Sequence, residues 1–177
     1  MNRFFPGNED AGPTQSISGF VTTHLIPISD IIMDFHSVGT SAEYANCGFH
    51  CRGDNETLNA TNLDLVGTFS APFTIVCPLE GYSGDFDSAA YAQGTPFLSY
   101  ELGGMGRVSN ETLKISWKGC LKVLNRAGLI GDDVLDAQTN NELDRPTRFV
   151  DLGEGCHHIT ASTYGVADQH LERCHRL

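Results

Sequence analysis

The sequence predicts an α/β domain. Three short runs rich in strand formers, Asp30–His36, Pro72–Cys77 and Pro96–Glu101, alternate with segments whose apolar residues recur at helical spacing. The 177 residues are 40% apolar and 19% charged, with 7 Pro against 19 Gly, which suits a chain that buries a core. That composition excludes collagen-like, low-complexity and disordered classes.

Taken in order, Ile17, Phe20, Val21 and Leu25 lie near helical spacing, with Pro13 suited to a first turn, so a helix is expected over 13–26, ending at Pro27. The run from Asp30 follows as a buried strand that delivers His36 and Ser37 into a loop containing Gly39. Residues 47–59 carry Gly, Asp, Asn and Arg without a period and read as loop. A helix is expected near 62–69, then the strand at 72–77 and a short helix over 85–93 stopped by Gly94. The strand at 96–101 ends on Glu101 and runs into the turn Gly103-Gly104-Met105-Gly106. Ser109-Asn-Glu-Thr is a capping signal for the strongest helix, about 111–127, with Leu113, Trp117, Leu121 and Leu124 on one face and Gly128 as its stop. Residues 131–146, with Asp132, Asp133, Asp136 and Asp144, read as a linker, and 148–152 and 158–162 as strands of a new unit.

Eleven Lys and Arg against 22 Asp and Glu leave a formal charge of −11. The average field repels phosphate backbones and acidic membranes, so neither nucleic acid nor a membrane is an expected partner. No apolar run approaches the roughly 20 residues of a membrane span. The first residues show no apolar stretch followed by a cleavage site, and the expected compartment is the cytoplasm. There the six cysteines, at 47, 51, 77, 120, 156 and 174, are expected as free thiols, and the sequons at Asn55, Asn59 and Asn110 carry no meaning.

Candidate chemistry concentrates in a few positions. His36, at a strand end with Asp34 two residues before it, suits a zinc ligand oriented by a carboxylate; a hydrogen-bonded structural histidine fits the same setting. Glu101 ends its strand beside glycines, where backbone and substrate approach closely, or else lies on a solvated rim. Cys47, His50 and Cys51 offer a weaker metal reading without a second cysteine pair. The other histidines, at 24, 157, 158, 170 and 175, lack ligand spacing, and no P-loop, G-x-S-x-G or dinucleotide fingerprint occurs.

Asn2–Gly7 (NRFFPG), Asp30–Gly39 (DIIMDFHSVG) and Ser99–Gly106 (SYELGGMG), in that order, resemble the succinylglutamate desuccinylase/aspartoacylase family of zinc deacylases. Residues 30–130, through the stretch Lys-Val-Leu-Asn-Arg-Ala-Gly-Leu-Ile at 122–130, look most like its ectoine-catabolism branch, the N-alpha-acetyl-diaminobutyrate deacetylases. The resemblance implies a partial zinc-carboxypeptidase-like fold over residues 1–130, a mixed sheet flanked by helices. It further implies a linker over 131–146 and the stub of a C-terminal β domain over 147–177.

The implied activity is zinc-dependent hydrolysis of an N-acyl amino acid, plausibly N-acetyl-diaminobutyrate. Carried over residue by residue, His36 is a zinc ligand, Glu101 the catalytic base, and Asn2 and Arg3 the pair that grips a substrate carboxylate. The family's other two zinc ligands come from an H-x-x-E/D motif that should precede Asn2, where this chain has only Met1. The reading therefore divides between an active deacylase, its metal site completed by upstream sequence or by a second chain such as a homo-oligomer partner, and a noncatalytic fragment or interaction module. Val38 and Met105 stand where that branch has glycine, and a sheet without its first strands is expected to expose an apolar edge.

Overall fold

The computed structural model describes residues 1–79, 84–139 and 145–152, and its sheet follows from side-chain alternation along one strand. In β4 (Phe97–Gly104), Leu98, Tyr100 and Leu102 are buried on one face, whereas Phe97, Ser99 and Glu101 line a cavity on the other. β1 (Ile32–His36) runs parallel to β4 on one side, and β2 (Glu43–Arg52) antiparallel to it on the other. β3 (Phe73–Pro78) pairs parallel with β2, and β5 (Arg148–Asp151) parallel with β3. The order is β1-β4-β2-β3-β5, a mixed sheet as expected.

Three elements differ from the sequence reading. Residues 47–52, read as loop, belong to β2, a central strand paired on both sides. Its Gly48 has a packing reason: an added Cβ would lie 2.7 Å from Val66 and 3.3 Å from the Tyr100 ring. Residues 132–139 form a short helix, α5 (Asp132–Thr139), rather than linker, with Asp132 and Asp133 in its first turn. The strand at 148–151, assigned to a new β unit, pairs with β3 as the far edge of the same sheet. The predicted strand at 158–162, with His157, His158, His170, His175, Cys156 and Cys174, lies outside the described residues.

Two helices cover the apolar face. α2 (Glu56–Phe69) begins earlier than its apolar spacing suggests, because Asn55 caps it: its Oδ1 accepts from the Leu58 N–H at 3.1 Å. α4 (Asn110–Arg126) is capped by Ser109, whose Oγ accepts from the Thr112 N–H at 3.0 Å. Leu65, Val66, Phe69 and Val123 from these helices bury Leu98, Tyr100 and Leu102, and the Phe69 and Tyr100 rings stack at 3.8 Å. On the other face α1 (Pro13–Phe20) continues through a wide turn at Val21–Leu25 and a tight one at Ile26–Ile28. Ile26 meets Ala90 of α3 (Phe86–Ala92) and Phe97 in a smaller cluster. Among the described residues no helix is long and apolar enough to cross a membrane.

Gly119 of α4 lies against the Phe69 ring, where an added Cβ would come within 2.4 Å. Gly119→Ala is therefore expected to lower stability by about 1–3 kcal/mol, overpacking outweighing the roughly 1 kcal/mol that alanine adds to a helix interior. Urea unfolding checks this; an unchanged or raised midpoint contradicts the packing account.

Candidate active site

The polar face of the sheet and the chain's first residues enclose a cavity of about 280 Å³. Asn2, Arg3, His36 and Glu101, singled out by sequence, all line it. His36 and Glu101 are register partners on neighbouring parallel strands, so their side chains leave the sheet together. His36 Nε2 lies 2.7 Å from Asp34 Oδ2, both part-buried, which fixes the ring and leaves Nδ1 as its remaining position. On the other side of Glu101 stands Cys47, its register partner across the antiparallel pair, next to a bulge between Tyr44 and Cys47.

Glu101 Oε2 is buried without a hydrogen-bond partner. Burial raises its carboxyl above the usual range and the Asp34 charge adds to that, while His36 opposes both. The Cys47 thiol is pushed up to about 11 by burial and by the Glu101 charge, so at neutral pH it stays protonated. The glycine turn after β4 is tied to the loop after β1: the Met105 N–H donates to the Ala42 carbonyl (2.8 Å) and the Gly106 N–H to the Gly39 carbonyl (2.7 Å). A side chain at 104 would press on the Ala42 carbonyl at 2.2 Å, and Met105 takes φ +55°, a left-handed backbone uncommon for a branchless non-glycine residue.

The N-terminal segment reaches the cavity because it docks on the start of α3. Asn2 Oδ1 accepts from the Phe86 N–H (2.7 Å), the Phe5 N–H donates to the Gly84 carbonyl (3.0 Å), and the Phe5 and Phe86 rings stack at 4.8 Å. With its oxygen held by the Phe86 N–H, the Asn2 side chain has its amide donors free to offer a ligand. The Arg3 Nη1 donates to the Asn2 carbonyl (2.8 Å), and Arg3 forms no ion pair among the described residues.

The cavity also holds Cys51, from the weaker metal reading, and three groups that sequence reading did not single out: Cys77, Asp85 and Asp87. Cys51 and Cys77 are register partners 26 positions apart, and no linear motif joins them. Asp87 is pushed up to about 6, first by burial and then by its hydrogen bond to Asp85. The weaker metal reading of Cys47, His50 and Cys51 does not survive the strand: Cys47 and Cys51 line one face, and the buried His50 lies on the other.

Zinc needs three or four donors. Among the described residues no group of three or more His, Cys, Asp or Glu is placed to hold a metal. His36 fits as one ligand, but the donor set among the described residues is incomplete. A larger groove of about 1200 Å³ lies beside Ile28–Met33, α2 and the end of α4. It contains none of the four predicted residues, and its Asp64 is tied to Arg126 at 3.0 Å.

Fold and site define an α/β domain with a carboxylate and an imidazole on adjacent strand ends and a guanidinium in the same cavity. The chain belongs to the succinylglutamate desuccinylase/aspartoacylase family, whose catalytic-domain profile matches residues 1–127. It is 27% identical over 168 residues, 95% of this chain and 47% of the relative, to the N-alpha-acetyl-L-2,4-diaminobutyric acid deacetylase of Halomonas elongata. The apo structure of the ectoine utilization protein EutE (DoeB) from Ruegeria pomeroyi superposes with a TM-score of 0.74 at 26% identity, covering 85% of this chain and 46% of that one. A succinylglutamate desuccinylase from Silicibacter sp. TM1040 shares the fold, with a TM-score of 0.78 at 24% identity, over 90% of this chain and 46% of that one. The chain thus spans about half the length of these relatives.

Because the folded-state value of Asp87 lies above its unfolded value, its contribution to stability is full below about pH 4 and is lost as pH rises through about 6. Asp87→Asn removes that loss. The variant is expected to match the parent near pH 4 and to exceed it by about 3 kcal/mol at pH 7.5. Thermal unfolding across this range checks it; a variant less stable at pH 7.5 contradicts the assignment.

Proposed function

We propose that this chain carries the reaction site of an N-acyl amino acid deacylase, which hydrolyses the amide to a carboxylate and a free amine. Family membership and the deacetylase relative support the deacylase class. The observation that carries the reading to this chain is Glu101, whose buried Oε2 has no partner and opens on a cavity shared with Arg3.

In this reading the Arg3 guanidinium binds the substrate's α-carboxylate, where a planar fork suits a bidentate partner. The Asn2 amide donors hold the substrate's other oxygens, since its own carbonyl is engaged by Phe86. Glu101 accepts a proton from the attacking water as its oxygen adds to the acyl carbon, then returns that proton to nitrogen as the C–N bond breaks. Raising its carboxyl above the usual range strengthens it as the base of the first transfer. Asp34 holds His36 in place at the reacting centre.

Zinc dependence is proposed on the family resemblance, with His36 as the ligand this chain contributes. N-acetyl-diaminobutyrate is the first substrate to test, because the cavity places Asp85 and Asp87 where an ammonium side chain could be met. A second reading, a noncatalytic member of the family, is favoured by the incomplete donor set among the described residues. Cytoplasmic location is proposed on the sequence reading alone.

Hydrolysis of N-acetyl amino acids by the purified chain, with zinc supplied, separates the two readings. Activity is expected on the deacylase reading, with Glu101→Gln lowering kcat about 100- to 10,000-fold at little cost in KM. Arg3→Ala is expected to raise KM about tenfold or more, the loss of one charged contact. Full activity in Glu101→Gln would remove the base assignment, and no hydrolysis of any N-acetyl amino acid would favour the noncatalytic reading.

A further inference from the structure

Cys51 and Cys77 stand directly opposite each other on the parallel strands β2 and β3, with Sγ atoms 3.3 Å apart. Neighbouring strands are separated by about 4.8 Å, inside the roughly 4.4–6.8 Å between Cα atoms that a disulfide spans. Side-chain rotation alone can therefore close the remaining gap between the sulfurs. Both residues line the cavity described above, so a small molecule entering it meets the pair. Cys47 and Cys120, the other described cysteines, have no such partner thiol within the described residues.

The surroundings give the two sulfurs different parts. Cys51 shares a hydrogen bond with Cys77, in which either sulfur can donate, and lies in hydrogen-bond reach of the Asp87 carboxyl; these contacts with burial push its thiol up. Cys77 shares that hydrogen bond with Cys51 and lies near the Arg52 charge; both favour its thiolate, against burial and the Asp87 and Asp151 charges. Cys77 is thus placed as the attacking sulfur and Cys51 as the one that resolves.

We propose that Cys51 and Cys77 are a reversible dithiol–disulfide pair in the cavity wall, oxidised by a peroxide. The Cys77 sulfur attacks one peroxide oxygen, the O–O bond breaks, and a sulfenic acid and water form. The Cys51 sulfur then displaces that hydroxyl, closing the S–S bond and releasing a second water; two electrons pass from the two sulfurs to the peroxide. Because both sulfurs line the cavity, the bond is within reach of a small thiol reductant, which reopens it. Closure also removes the S–H that Asp87 accepts, and so changes the polar wall facing Glu101. The proposal is independent of the deacylase reading.

The test uses the full chain, reduced, desalted and treated with hydrogen peroxide, then alkylated and digested with chymotrypsin, which cuts after Phe49 and separates Cys47 from Cys51. The expected result is loss of two of the six thiols, a mass loss of two hydrogens and one cross-linked peptide pair joining Cys51 to Cys77, reversed by dithiothreitol. Cys47→Ser and Cys120→Ser should leave the cross-link intact, whereas Cys51→Ser should stop at a sulfenic acid on Cys77 that dimedone traps. A cross-link elsewhere, separate sulfinic acids at 51 and 77, or both thiols still alkylatable after peroxide would each overturn the proposal.

Discussion

Alternation along β4 is the constraint on which the rest of the structure depends. Leu98, Tyr100 and Leu102 are held against α2 and α4, with the Tyr100 ring stacked on Phe69. Given that face, Ser99 and Glu101 must point to the other one, and a slip of a single residue would turn Glu101 into the apolar core. β1 is tied to the same choice: Met33 packs with the core, while Asp34 and His36 face the cavity beside Glu101. Packing on one side of the sheet thereby sets the chemistry on the other.

That chemistry is shaped by burial more than by charge pairing. Glu101 and Cys47 are both shifted first by loss of water; Glu101 then feels His36 and Asp34 on β1, and Cys47 feels Glu101 across the β2–β4 pair. Asp87 follows the same order, burial before its Asp85 contact. The cavity gathers Asp34, Asp85, Asp87 and Glu101 with Arg3, a balance that suits a ligand with an anionic end and a polar or cationic remainder.

The parts of the fold legible in the sequence were those with a strong period or an obvious stop. β1, β3 and β4 announced themselves as apolar runs ending on polar residues, and α4 by the Ser109 cap and Gly128. β2 was illegible because Gly48, His50 and Arg52 carry little strand preference; two flanking strands impose its conformation, and small residues let Val66 and Tyr100 approach. The start of α2 was obscured because Asn55, its cap, sits in a polar stretch that reads as loop. Of the site, His36 and Glu101 were visible as polar strand ends and took their roles from a resemblance, Asn2 and Arg3 came from the resemblance alone, and the structure gathers all four in one cavity. Cys77 and Asp87 could not be found that way, since only the register of β3 and the docking of α3 bring them to the others.

On the proposed function, this cavity, not the larger groove beside β1, receives an N-acyl amino acid. Titrating N-acetyl-diaminobutyrate into isotopically labelled protein, followed by NMR, tests it without requiring turnover. Signals from Arg3, Ser99, Glu101 and Cys77 are expected to shift together along one binding curve. Shifts confined to Ile31, Asp64 and Leu124 in the larger groove, or no shift at saturating ligand, would contradict it.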